Sequence, residues 1–362
     1  MPPWGGPAVG MSAVLPAGTA PAGPTVVRSD GVWHAAWRRL QKDRLGMASM
    51  AVVALFVAMI LLTATGLVAR GWQREVGVPS APPTFMGPAT VTEAAAALGP
   101  TGPPVDISAV DPLAPRYAEW AERAAKYKTV ETPKATTLPF GGDRTGRDVL
   151  AKAMKGTQTS VFVGLLGALV ATVIGTLLGA LAGFFGGKVG DFLEWLYSVF
   201  TSIPDILLIL SFAVIFGRGI GSVAIILALV GWTGVYRQVR AEFIKHSTRD
   251  YVRSAEAIGA STSSRMFRHI LPNVSHVILV RMSLLVVSFI KFEVILSYLG
   301  LGVGVDDVSW GTMLAEAQSE LILGYWWQLV AATVFMAVFV TAFSLMTDAL
   351  RDALDPKLRG LE

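Results

Sequence analysis

The chain has 362 residues, of which 53% are hydrophobic and 15% charged, and its mean hydropathy is +0.55. Soluble domains carry nearer a quarter charged residues, so this composition excludes an ordinary soluble protein. With no cysteine there is no disulfide, thiolate metal site or cysteine nucleophile. The net charge of +4 is concentrated in particular loops, which reads as a topology signal and excludes a nucleic-acid surface.

Residues 1–30 form a Pro- and Gly-rich tail, with Pro2, Pro3, Pro7, Pro16, Pro21 and Pro24, and too little apolar side chain to fold. The tail lacks the charged start and short apolar core of a cleavable signal peptide. Over 31–45, Trp33, Trp37 and Leu40 share one helical face amid Arg38, Arg39, Lys42 and Arg44. This suits an amphipathic helix on the inner membrane surface, in contact with lipid; a basic flank that only fixes orientation is the alternative, and both put this end in the cytoplasm.

Residues 46–69 carry no charge and are long enough to cross about 30 Å of hydrocarbon. The polar stretch 70–159 then lies outside, with a short helix expected from Ala114 to Tyr127. Further apolar runs follow over 160–348: Ser160–Ala182, Asp191–Phe216, Ile220–Val235, Asn273–Leu299 and Tyr325–Asp348. The second is studded with Gly164, Gly167, Gly175 and Gly179, spaced for close helix packing in lipid. The third contains Ile203-Pro204-Asp205, where proline removes a helical hydrogen bond and kinks the helix. A cytoplasmic tail, 349–362, closes the chain. The residues alone thus describe an all-α, polytopic membrane protein with six transmembrane helices and both termini in the cytoplasm.

Phosphate-loop chemistry fails on inspection. Gly183-Phe-Phe-Gly-Gly-Lys188 has Ala182 in place of the first glycine and Val189 in place of the hydroxyl. The four histidines form no zinc-protease pattern, and no nucleophile elbow occurs. We therefore expect no catalytic residues, no metal and no cofactor. Inside the fifth apolar run sit Lys291 and Glu293, with Arg281 nearer its cytoplasmic end. Being two apart, Lys291 and Glu293 face different ways on a helix. Two readings stay open for them: a place on the translocation path, or interhelical pairing and snorkelling.

The loop 237–272 is basic and patterned. From Arg237 to His269 it carries seven Lys or Arg against three acids, which places it inside. Its Ser254, Ala255, Ala257, Ile258, Gly259 and Ala260 make a small, smooth helix surface, suited to close approach by another protein; a solvated basic loop is the plainer reading. The stretch resembles the coupling ("EAA") loop of permease subunits in ABC importers: Glu-Ala-Ala, three residues, Gly, nine residues, Ile, one residue, Leu-Pro. Ala255, Gly259, Leu271 and Pro272 match, whereas Arg253, Ser254 and His269 depart from it.

Pro139-Phe-Gly-Gly-Asp143 and Gly146-Arg-Asp148, with Leu150, resemble the box before the second span in the oligopeptide/dipeptide-type permeases, Gly142 replacing a threonine. Tyr298-Leu-Gly-Leu-Gly302, Trp310-Gly-Thr-Met-Leu314 and Leu350-Arg-Asp-Ala-Leu-Asp-Pro356 are similar to further boxes of that subfamily. The resemblance runs from about Trp33 to the end and is weak over 70–137. It implies the type I ABC importer transmembrane fold and a bacterial inner-membrane location. The partners implied are a second homologous permease subunit, two ATP-binding subunits and an extracytoplasmic substrate-binding protein. It places ATPase docking on Ala255, Glu256, Ala257, Gly259, Ala260 and Ser261, with Leu271 and Pro272 closing the loop. The ATPase activity then belongs to the partners, and cargo is selected largely by the binding protein. A secondary transporter is the alternative, but no internal repeat favours it.

Overall fold

The computed structural model describes residues 32–88, 110–126 and 133–354. The Pro/Gly-rich tail 1–30 and the final Asp355-Pro356 lie outside them. Eleven α-helices are described: α1 Val32–Lys42, α2 Arg44–Ala64, α3 Tyr117–Lys126, α4 Val149–Phe185, α5 Gly187–Thr201, α6 Asp205–Phe216, α7 Ile220–Ser247, α8 Asp250–Ala257, α9 Leu271–Tyr298, α10 Trp310–Ile322 and α11 Trp327–Leu354. Among the described residues, α2, α4, α7 and α11 are long and apolar enough to cross a membrane, and α5 with α6 adds a fifth span if the bent pair is one crossing. The expected count of six is reached only by adding α9, which has the length at 28 residues but carries Arg281, Lys291 and Glu293.

The helix ends follow local chemistry. Asp43 separates α1 from α2, and its carboxylate accepts from Leu45 N at 3.0 Å as the N-cap. The expected first span to Ala69 stops at Ala64, because Gly66 (φ +74) and Ala69 (φ +56) turn left-handed. Its 21 residues still reach about 31 Å. Asp148 caps α4 through Leu150 N at 2.9 Å, so that helix starts well before the apolar run at Ser160. The expected kink at Pro204 is a full break, with α5 and α6 bent by 84°. Proline offers no N–H and forces the residue before it out of the helical region.

Helix α4 is the centre of the bundle and packs along α7 more extensively than any other pair. A Cβ built at Gly175, Gly179 or Gly183 would stand 2.6, 2.7 or 2.5 Å from the carbonyl oxygens of Trp232, Tyr236 and Arg240. Glycines four apart therefore meet backbone four apart, and the two axes close to contact. Beside this pair, α2 packs on α11, Phe56 lying 6.1 and 5.3 Å from Phe335 and Phe339. Leu40 of α1 is buried with Ala349 and Ala353 at the end of α11.

Candidate functional site: the loop between α7 and α9

One end of the bundle carries the basic loop. Helix α7 runs straight into it, so Arg237, Arg240 and Lys245 are helical. A turn leads to α8, which ends where Gly259 adopts φ +84, a conformation that costs glycine little. A π-helical turn, Ser264–Ile270, then feeds α9 with no intervening coil. Pro272 sits in the first turn of α9, where its missing N–H breaks nothing.

The loop is fastened from below. Val252, Ala255, Met266 and Ile270 are all buried. Arg265 Nη1 lies 2.5 Å from Glu256 Oε1, and the same guanidinium stacks 5.5 Å over Phe184 at the end of α4. Arg265 thus links α8 to the end of α4, and the π turn that carries it runs directly into α9.

Of the residues singled out for docking, Glu256, Ala257, Gly259 and Ser261 are exposed and Ala260 is half-buried. Ala255 departs from that expectation. At 4% exposure it faces the bundle and seats the helix. At the tip stands Ile258, 85% exposed, and nothing lies within 4 Å of a Cβ built on Gly259. The sequence counts Ile258 among the residues of the smooth surface; the turn at Gly259 places it at the tip, just past the end of α8. Leu271 is half-buried and Pro272 exposed.

Lys291 and Glu293 part company, as their spacing requires. Lys291 is exposed, while Glu293 is fully buried and accepts from Ser297 Oγ at 2.7 Å. Ser297 Oγ also accepts from Val303 N at 3.2 Å. A Cβ on Gly302 would fall 2.0 Å from that hydroxyl, so Glu293 organises the Gly300–Val303 turn. Glu293 Oε2 and Trp310 Nε1 are buried with no partner among the described residues.

At the opposite end, the Pro139–Leu150 box is a latch. Asp143 Oδ1 accepts from Thr145 N, Thr145 Oγ1 and Arg147 N at 2.9, 2.7 and 2.9 Å. Lys152 Nζ, on a side chain only 1% exposed, donates to Asp143 Oδ2 at 2.7 Å, Glu316 Oε2 at 2.5 Å and Gln328 Oε1 at 3.3 Å. Trp327 Nε1 donates to Gly142 O at 2.6 Å, and Arg144 N to Glu320 Oε1 at 2.9 Å. One box therefore ties α4, α10 and α11 together. Burial alone would raise the Asp143 carboxyl, but the Lys152 charge and the hydrogen bonds outweigh it and hold the group below its ordinary value. Burial pushes Glu320 the other way, above the ordinary range, against the Arg144 N–H and Lys152.

A bundle of long apolar helices with a structured basic loop between two of them defines a multi-pass membrane protein. Residues 175–360 match the family model described as binding-protein-dependent transport system inner membrane component. Residues 31–70 match that of the N-terminal TM domain of oligopeptide transport permease C. The chain belongs to the family of binding-protein-dependent transport system inner membrane components. It is 40% identical over 220 residues to the oligopeptide transport system permease protein OppC of Escherichia coli (strain K12), covering 61% of this chain and 72% of that one. It is 32% identical over 247 residues to OppC of Bacillus subtilis (strain 168), covering 68% and 81%. With the dipeptide transport system permease protein DppC of Lactococcus lactis subsp. cremoris it shares 29% over 323 residues, 89% and 90% of the two chains. Among solved structures, the inward-facing MetNI methionine ABC transporter aligns with a TM-score of 0.47 at 16% identity, over 56% of this chain and 96% of that one.

Proposed function

We propose that this chain is one of two membrane-spanning subunits of an ATP-driven importer for peptides or similar small solutes. The cargo class follows the relatives named for oligopeptide and dipeptide transport. In this reading the basic end, both termini and α8 lie in the cytoplasm, and the latch lies outside. A second, homologous permease completes the pathway, two ATP-binding subunits sit under the basic end, and a separate extracytoplasmic protein delivers the solute.

The observation that carries the proposal is α8 itself: a short helix with small exposed residues, standing on the loop and paired through Glu256 with Arg265 of the π turn, which also stacks on Phe184 of α4. Glu256, Ala257, Gly259, Ala260, Ser261 and the tip residue Ile258 form the docking surface. Closure of the ATPase pair moves α8 as a unit, and the bundle exchanges inward- and outward-open states.

Gly259→Trp tests it. A side chain there strains the left-handed backbone by about 1–3 kcal/mol and fills the space a partner needs. Gly259→Asn tolerates the same backbone and serves as the folding control. We expect Gly259→Trp to abolish transport at normal membrane abundance and Gly259→Asn to retain it. Transport that survives Gly259→Trp refutes the docking surface.

A further inference from the structure

Two opposite charges lie at mid-length of the bundle without ion-pair partners among the described residues. Arg281 is ten residues into α9 from Leu271, about 15 Å along the helix. Thr233 and Gly234 mark the middle of α7, and Asp205 opens α6 at the break after Pro204. All four line a cavity of about 170 Å³ between α6, α7 and α9. They also line a second cavity, of about 460 Å³, that continues past Arg237 and Gln238. Positions 233, 237 and 241 are four apart on one face of α7, so the cleft runs from mid-bundle toward the basic end.

Ionised groups inside a membrane are costly and are kept where they face a partner or an aqueous path. Among the described residues neither Arg281 nor Asp205 makes an ion pair, and Arg281 Nε is buried without a hydrogen-bond partner. The guanidinium is seated against Gly234, where a Cβ would lie 2.3 Å from Nη2. A broken helix next to unpaired charge at this depth is also how irregular backbone is tolerated in membranes, lining a cavity.

We infer that this cleft is a solute-contacting station on the permeation path and that it takes zwitterionic solutes. Arg281 receives a carboxylate, for which the guanidinium fork is the natural partner, and Asp205 receives an ammonium. The two ends of a short peptide carry that pair of charges. The inference rests on the importer reading above and adds the residues that meet the cargo.

The absence of cysteine makes the test direct. Thr233→Cys places one thiol of this chain in the cleft of the full complex, extracted with its partners into nanodiscs. The thiol is treated with anionic and cationic methanethiosulfonates of similar size, and label is followed on this chain after separation. Arg281 and Arg237 against the single Asp205 leave the cleft net positive, so, with rates referred to a free thiol in solution, the anionic reagent should be favoured, and Arg281→Gln should cut its advantage by roughly tenfold. Arg281→Lys keeps the charge and should keep most of the advantage. Asp205→Asn should raise it. Trialanine should slow labelling, and its C-terminal amide should do so less.

Equal labelling by both reagents, or none in a folded complex, overturns the inference, because Arg281 is then neutralised by a partner or the cleft is shut. Absence of protection by trialanine in a complex that transports trialanine also overturns it, since the charged cleft is then off the route. A complex that moves other zwitterions but no peptide refutes the peptide cargo proposed above and leaves the cleft assignment standing. The anion preference and its loss in Arg281→Gln are read without any cargo, so the two failures are told apart.

Discussion

Lys152→Met removes the centre of the latch while keeping the length and apolar stem of the side chain. Lys152 is 1% exposed and Asp143 2%, with 2.7 Å between their charged atoms. Breaking a buried pair by removing one member leaves the other charge uncompensated and costs about 3–5 kcal/mol. Glu316, 32% exposed, is reached by water and adds little to that figure. Asp143 would still accept from Thr145 and Arg147, which places the cost at the lower end. In a detergent-solubilised thermal scan followed by size-exclusion recovery, the midpoint should fall by roughly 5–10 °C. Asp143→Asn should cost a similar amount alone and much less in the Lys152→Met background. An unchanged midpoint for Lys152→Met, or full additivity of the two, would refute the latch.

Gly179→Val drives a Cβ to within 2.7 Å of a backbone carbonyl on α7, which cannot yield, and should cost 1–3 kcal/mol or more, about the range for overpacking, read as loss of monodisperse protein. Trp327→Phe removes the 2.6 Å bond to Gly142 O and should lower stability by about 1–2 kcal/mol in the same thermal assay. The pH profile has two parts with opposite signs. Asp143 is depressed, so its stabilisation is complete above the ordinary carboxylate value and is lost only as pH falls through the lower, folded value. Glu320 is raised, so its ionisation opposes folding at neutral pH and the cost is relieved as pH falls toward its raised value. Stability should therefore rise slightly on mild acidification before it collapses, and Glu320→Gln should remove the rise; a rise that persists in Glu320→Gln contradicts the assignment.

Much of the architecture is legible in the sequence because membrane helices declare themselves by length and hydropathy. The glycines of α4 announced a close contact, and Pro204 announced a kink, where the structure has a full break of 84°. The boxes at Pro139–Leu150, Tyr298–Gly302 and Trp310–Leu314 were visible as patterns, but their work was not. Lys152 reads as an ordinary basic residue at a helix start, since its partners Glu316 and Gln328 lie far along the chain. Ala255 turns inward, away from the surface that the sequence pattern has it share with Ile258, because the inward face of α8 is set by where α4 and the π turn lie. The fifth apolar run drew attention to Lys291 and Glu293, yet among the described residues the unpaired charges that share a cavity are Arg281 and Asp205. Its setting depends on Gly234 and on the α5–α6 break, which no local pattern connects to it.

The claim on which everything else depends is that α8 meets an ATP-binding subunit. Ile258→Cys, at the exposed tip of a chain with no other cysteine, can be fitted with a short photo-crosslinker in native membranes and its adducts sequenced. One dominant adduct is expected, to an ATP-binding subunit, and it should be lost in Gly259→Trp. Adducts to lipid alone, or none, in membranes that transport normally would contradict it.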